Sequence, residues 1–186
     1  MSDKPKFDSD EAAPVACELV EILRPFCERI EIAGSLRRMK NRVGDIEILF
    51  VPRVEHRQAD MFTTEPMDLA DEKIGKMLAD GTFSKRPNVN GSFAWGKKNK
   101  LAIHNASGIP VDLFSTTAEA WWVALVIRTG SKETNLKLTT GAQKKNATLN
   151  AYGSGITWSD GTKTDATSEQ HVFELCGVEY LEPNCR

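Results

Sequence analysis

The sequence predicts an α+β fold in two parts, divided near residue 116. Apolar side chains recur at helical spacing within residues 11–29 and 67–81, while short alternating runs at 29–34, 45–52 and between 82 and 115 read as strands. After Ser115 the texture changes to two consecutive helical segments, a hairpin and a last short helix.

Val15, Leu19, Ile22, Leu23 and Phe26 recur with Pro14 tolerated in the first turn, which predicts an amphipathic helix over about residues 11–29. RIEIAG alternates as a strand and stops at Gly34. A turn and a short basic segment follow, before DIEILFVP resumes as a strand that Pro52 ends. Leu69, Ile74 and Leu78 predict a second helix closing at Gly81. TFSKRP, KLAIHN and IPVDLFS are strand-like pieces separated by Asn, Gly and Lys, as neighbouring antiparallel strands would be. TAEAWWVALVIRTG and SKETNLKLTTGAQKK predict two helices broken at Thr129–Gly130. A hairpin around Asp160–Gly161 and a short helix capped by Ser168 complete the chain. The expected units are therefore residues 1–115 and 116–186.

With 186 residues, 40% of them hydrophobic and 27% charged, the chain has enough apolar material for a core. The polar, acidic N-terminal stretch has no apolar segment of signal-peptide length, and no window nears the ~18 apolar residues of a membrane span. The expectation is a soluble cytoplasmic chain of bacterial, phage or viral type that does not contact membranes. Cys17, Cys27, Cys176 and Cys185 have no C-x-x-C spacing and no nearby His, which argues against zinc and predicts reduced, packing thiols.

A net charge of −2 taken alone argues against binding nucleic acid, but the cations are clustered. Arg37, Arg38, Lys40 and Arg42 fall in one acid-free stretch, and Lys85, Arg86, Lys97, Lys98 and Lys100 fall in another. Residues 120–145 add Arg128, Lys132, Lys137, Lys144 and Lys145 against Glu133 alone. Such blocks can be solvated faces; brought together by the fold they would make a basic groove on an acidic body. His56, His104 and His171 stand alone and read as surface or packing residues. Trp121 and Trp122 would diverge by about 100° on a helix, so one packs and the other is partly exposed. Tyr152 and Trp158, near the hairpin, have a slightly better claim than the tryptophan pair to stack on a base, with packing or plain surface exposure the first reading for them too.

The chemistry concentrates in GSLRRMKNRVGDIEILF, residues 34–50. Side chains alternate along a strand, so Asp45 and Glu47 share one face and Ile46 and Ile48 the other. The pair alone could line a solvent-facing edge. Asp112, between Val111 and Leu113 in another strand-like run, adds a third carboxylate that would be costly to bury unpartnered. Three carboxylates on adjacent strands can hold two Mg²⁺ ions for phosphoryl transfer. The Gly-Ser turn supplies backbone N–H groups and nearby arginines suited to a triphosphate.

GSLRR, GDIE, VDLF and RTGSKETN, in this order, resemble the palm and thumb of the family X DNA polymerases, the DNA polymerase β group of the nucleotidyltransferase superfamily. LNAYG and SEQHVFELCGVEYLEP resemble the family's closing thumb segment, so the likeness runs from about residue 12 to the C-terminus. It implies a nucleotidyltransferase palm, a mixed or antiparallel sheet with helices on one side, followed by a small α+β thumb. It also implies a metal-dependent DNA polymerase that adds a nucleotide from a dNTP to a DNA 3′-hydroxyl in repair, releasing pyrophosphate. By the same resemblance, Gly34 and Ser35 bind the triphosphate with Arg38 and Gly44. Asp45 and Glu47 bridge two Mg²⁺ ions, with Mn²⁺ an alternative, and Asp112 binds the catalytic one. Gly130 and Ser131 lie beside the sugar, and Asn135 touches the nascent base pair. Lys97, Lys98, Lys100, Lys132, Lys137 and Lys144 are the candidate DNA-facing lysines. The implied partners are a primer-template, gap or DNA end and a dNTP, with the chain a monomer.

The sequence departs from the family at several points. Glu47 replaces an Asp, Ile127–Arg128 an aromatic pair, Thr139 an Arg that reaches toward the template, and Pro110 an Arg beside the third acid. About ten residues precede the first helix, so a chain without the N-terminal lyase and fingers domains is expected. Two alternatives stand beside the polymerase: a nucleotidyltransferase with a non-DNA acceptor, and a non-catalytic module that holds DNA ends on a palm scaffold.

Overall fold

The computed structural model describes residues 6–58 and 63–186. The first part runs β1 (Phe7–Asp8), α1 (Ser9–Leu23), a 3₁₀ turn (Arg24–Phe26), β2 (Cys27–Ile32), α2 (Gly34–Arg37), β3 (Arg42–Val43) and β4 (Ile46–Pro52). It continues through β5 (Val54–Gln58), β6 (Thr64–Asp68), α3 (Leu69–Ala79), β7 (Phe83–Lys85), β8 (Asn99–His104) and β9 (Ile109–Ser115). The second part comprises α4 (Trp121–Thr129), α5 (Lys132–Lys144), β10 (Ala147–Leu149), β11 (Gly155–Trp158), β12 (Lys163–Asp165), α6 (Glu169–Cys176) and a closing 3₁₀ turn (Pro183–Cys185).

A five-stranded sheet in the order β2-β4-β9-β8-β7 forms the body of the first part. β4 and β9 are parallel, and every other neighbouring pair in this sheet is antiparallel, so the sheet is mixed. On one face Ile46, Ile48 and Phe50 of β4, Val111 and Leu113 of β9 and Ala102 of β8 pack against Leu19 and Leu23 of α1 and Ile74 and Met77 of α3. On the other face Leu49, Val51 and Phe114 meet Trp121, Ala124 and Leu125 of α4.

The long helices of the first part, α1 and α3, thus keep to one side of the sheet as expected, and α4 of the second part covers the other. The second face is apolar at one end, at residues 49, 51 and 114, and acidic at the other, at 45, 47 and 112. Only the apolar end can bury a helix without stranding carboxylates. α4 also turns Val123 and Val126 into a core with Leu138, Ala142, Ile156, Val172 and Phe173. A division near residue 116 is a proposal drawn from composition, and α4 packs into the cores on both sides of it.

Most expected elements are present, with three differences. α1 stops at Leu23, because Pro25 sits in the 3₁₀ turn that follows and cannot continue the α-helix. β5 and β6 form an antiparallel hairpin whose residues are exposed or half-buried, so no alternation announced it. The C-terminal hairpin is a three-stranded sheet, β10-β11-β12. Among the described residues no helix is long and apolar enough to cross a membrane.

Leu125 is 3% exposed and seats α4 on the sheet. Leu125→Ala is expected to cost about 2–5 kcal/mol in urea unfolding, through lost burial and the cavity left behind. Because α4 belongs to both cores, fluorescence and circular dichroism should follow one shared transition; two separate transitions would show that the parts fold independently.

Candidate active site

The parallel register pairs Glu47 of β4 with Asp112 of β9, and Asp45 lies one alternation earlier on the same face. Ile46, Ile48, Val111 and Leu113 are buried on the opposite face, which forces all three acids to the open one. Each of the three is half-buried.

The short helix α2 opens on Gly34 in the left-handed region, with φ +61°. A Cβ there would lie 2.5 Å from Glu47 Oε2 and 2.8 Å from its Cδ, so Gly34 is required both by its backbone and by the carboxylate leaning on it. The Ala33 N–H donates to the Glu47 carbonyl at 2.8 Å, which ties the turn to β4.

A cavity of about 350 Å³ opens here. Gly34, Ser35, Arg38, Asp45 and Glu47 line it from the first part, and Gly130, Ser131 and Asn135 from the second. Ile127, Arg128 and Lys132 complete the lining. A larger cavity of about 700 Å³ beside the β5–β6 hairpin shares none of these residues. Gly44 directly precedes Asp45 and, like Asp112, is not among the lining residues. Arg38 donates from Nη1 to the Thr129 carbonyl, and the Gly130–Ser131 peptide is cis. Two buried polar atoms of the lining have no hydrogen-bond partner: Arg38 Nε, a donor, and Asn135 Oδ1, an acceptor. Asn135 Nδ2 donates to the Ile127 carbonyl at 2.8 Å, which holds the amide in place.

Burial, and then the charges of Asp45 and Asp112, push the Glu47 carboxyl up from 4.5 to about 7, while Arg128 and Arg38 pull it down. Asp112 is ion-paired with Arg86 from the β7–β8 connection. Arg128 stacks 3.7 Å over the Phe114 ring and donates to the Tyr152 hydroxyl at 3.3 Å. In this side-chain arrangement no three acidic, His or Cys groups close on a common point among the described residues. The donor set nonetheless fits a hard divalent cation: three carboxylates on one face, one of them disfavoured in its charged form by burial and then by the other two.

Arg37 grips the second part as Arg38 does. Its Nη1 donates to Thr129 Oγ1 at 2.7 Å and to Glu169 Oε2 at 3.0 Å, and its Nη2 pairs with Glu169 Oε1. Arg186 Nη1 lies 2.8 Å from Glu169 Oε2. Burial opposes the charge on Glu169, but the Arg37 hydrogen bonds and the charges of Arg37 and Arg186 hold its carboxyl below the ordinary range.

Of the six lysines expected to face DNA, Lys97, Lys98, Lys132, Lys137 and Lys144 are exposed. Lys100 is not: it is 5% exposed, ion-paired with Asp71 and bonded to the Gly96 carbonyl at 2.9 Å, so it serves the fold. The cysteines divide likewise. Cys27 and Cys176 are buried thiols pushed up to about 12 and about 11 by desolvation, whereas Cys17 and Cys185 are exposed. Trp121 is buried and Trp122 half-buried, as their divergence on α4 requires. Sequence reasoning missed the pairings of Arg37, Arg86 and Arg128. Each was visible only as a cation in a basic block, because its partner lies far away in sequence.

Residues 124–186 match the family model described as the DNA polymerase beta thumb. Across the whole chain the fold is similar to the crystal structure of Leishmania infantum polymerase beta, described as a ternary P/T complex. The TM-score is 0.73 at 18% identity, covering 98% of this chain and 77% of that one. No curated protein sequence matches significantly. Together the two matches show a polymerase β-like fold whose C-terminal third matches the polymerase β thumb.

Two consequences are measurable. Gly34→Ala should displace Glu47 and strain the turn, lowering stability by about 1–3 kcal/mol in urea unfolding. In chelator, the Glu47 carboxyl sits at about 7 in the folded chain against an ordinary 4.5, so its contribution is full below pH 4.5 and lost as pH rises through 7. The unfolding midpoint should fall between pH 5 and 8, and Glu47→Gln should flatten that fall.

Proposed function

We propose that this polymerase β-like chain is a metal-dependent nucleotidyltransferase that extends a DNA 3′-hydroxyl with a nucleotide from a dNTP, in DNA repair. One observation carries the reading: a single cavity is lined at once by the Gly-Ser turn, by two of the three acids and by the Gly130–Ser131 turn of the thumb. The similar Leishmania structure is a ternary P/T complex, which favours DNA as the acceptor over a small molecule.

In this reading Gly34, Ser35 and Gly44 offer backbone N–H groups to the triphosphate, and the unpartnered Nε of Arg38 faces the same anion. Gly130 and Ser131 flank the sugar, and the free Oδ1 of Asn135 is an acceptor for the base pair being formed. Asp45, Glu47 and Asp112 would hold two Mg²⁺ or Mn²⁺ ions, whose chemistry is to neutralise charge on the attacking and leaving oxygens. Asp112 lies beside the incoming 3′-hydroxyl once Arg86 shares its carboxylate. Lys97, Lys98, Lys132, Lys137 and Lys144 meet the DNA backbone. Catalysis is positioning and electrostatic complementarity, with no covalent intermediate.

The Arg86–Asp112 ion pair also favours a second reading, a non-catalytic module that holds DNA ends, because it engages the third acid. A primer-extension assay with primed, gapped and blunt DNA, dNTPs and Mg²⁺ separates the two. Extension is expected, with Asp45→Ala lowering it about a hundredfold or more and Glu47→Asp retaining it. No extension by the wild-type chain, with DNA binding unchanged in Asp112→Ala, would establish the module instead. Binding should weaken steeply with salt, by a slope of about 0.9 per neutralised phosphate.

A further inference from the structure

Within the connection between β7 and β8, the turn from Pro87 to Phe93 is not used by the chemistry above, and it is built rather than loose. Asn88 Oδ1 accepts the N–H groups of Asn90 at 2.9 Å and Ser92 at 3.1 Å, and the Asn88 N–H donates to the Ser92 carbonyl at 2.8 Å. Gly91, at φ +79°, completes the turn. Pro87 bridges to Phe93, the Arg86 N–H donates to the Leu101 carbonyl and the Leu101 N–H to the Ala94 carbonyl, each at 2.9 Å. Trp95 packs against the main core, with the Lys85 ammonium 5.2 Å from its ring centroid.

On this tied-down hairpin two apolar side chains face solvent: Val89 is 89% exposed and Phe93 62% exposed. Neither side chain joins a hydrophobic cluster among the described residues, so their apolar surface is not used by the fold. The surroundings of this tip select the partner. The stretch from Gly81 to Val111 holds cations and no acid, and Lys85, Lys97 and Lys98 are exposed within it, so the tip projects from a surface suited to a polyanion. Its root is also fixed relative to the chemistry, because Arg86, next to Pro87 and hence to Phe93, is ion-paired with Asp112. By chain geometry Phe93 lies within roughly 20 Å of that carboxylate, a few base-pair steps of DNA.

We infer that the Val89–Phe93 tip is a DNA-end contact, with the Phe93 ring stacking on the exposed terminal base of a duplex or on the first unpaired base beyond it. This rests on the reading that the chain acts on DNA. Apolar and aromatic side chains beside basic groups are the general means of gripping unstacked bases, and stacking tolerates any base because each has a π-face. The tip thereby distinguishes an end or gap, where a base face is open, from continuous duplex, where none is.

The test compares a hairpin duplex with one recessed end, carrying 2-aminopurine at its 3′-terminal position, with a covalently closed circular duplex of the same sequence. The wild-type chain is expected to change the 2-aminopurine emission and to bind the ended DNA about tenfold tighter than the circle. Phe93→Ala should remove both differences while leaving the salt slope unchanged, since no cation is lost, and Phe93→Trp should restore them. Wild-type behaviour of Phe93→Ala on the ended DNA, or an equal loss on both DNAs, would overturn the inference. So would a micromolar dimer, seen by sedimentation, that Phe93→Ala dissolves, because a second copy would then cover the tip. Primer extension without an effect of Phe93→Ala on end binding would sink the tip and leave the catalytic reading standing. Loss of end binding in a chain that never extends a primer would do the reverse.

Discussion

The parallel register of β4 and β9 is the constraint on which the rest depends. It sets Glu47 opposite Asp112 and sends Ile46, Ile48, Val111 and Leu113 into the core against α1 and α3. A slip by one residue in either strand would carry carboxylates into that core and apolar side chains out of it, so the hydrophobic effect enforces the acid pairing. The same open face changes character along its length, from Asp45, Glu47 and Asp112 to Leu49, Val51 and Phe114. α4 covers the apolar end and leaves Asp45 and Glu47 to the cavity. The position of the second part on the first is thus a by-product of where the sheet stops being acidic.

α2 fastens the other wall. Arg37 and Arg38 are consecutive, yet both reach α4 at Thr129, one through the hydroxyl and the other through the carbonyl, and Arg37 goes on to Glu169 of α6. Buried ion pairs of this kind add little net stability when both partners are present, but removing one partner is costly. Their effect here is geometric. They fix the distance between the Gly34–Ser35 turn and the Gly130–Ser131 turn, so the cavity is shaped by both parts rather than by either alone.

Much of this was legible in the sequence. Alternation in DIEILF specified which side chains of β4 go inward, and helical spacing specified α1 and α3, because those patterns record burial of a single face. The cap at Ser168 and the break at Thr129–Gly130 were likewise local signals. What the chain did not disclose is what depends on pairs far apart in sequence. Arg86 reaches Asp112, Arg37 reaches Glu169 and Lys100 reaches Asp71, and each cation read simply as part of a basic run. The β5–β6 hairpin was hidden for the opposite reason: neither of its faces joins the core, so its strands carry no period.

Glu47 brings these strands together. The extra methylene that separates it from aspartate carries its carboxylate onto Gly34, so the acid-bearing strand and the Gly-Ser turn meet there. That contact also removes water from the carboxylate, and with Asp45 and Asp112 nearby the group holds its proton to about pH 7. In the proposed metal-bound state the carboxylate would give that proton up. An aspartate, being shorter, would stand back from Gly34 and ionise more readily. The length of the Glu47 side chain therefore raises the pH at which this carboxyl ionises, while the charges of Arg128 and Arg38 limit how far it rises. The site's electrostatics are set as much by the length of one side chain as by the number of acids around it.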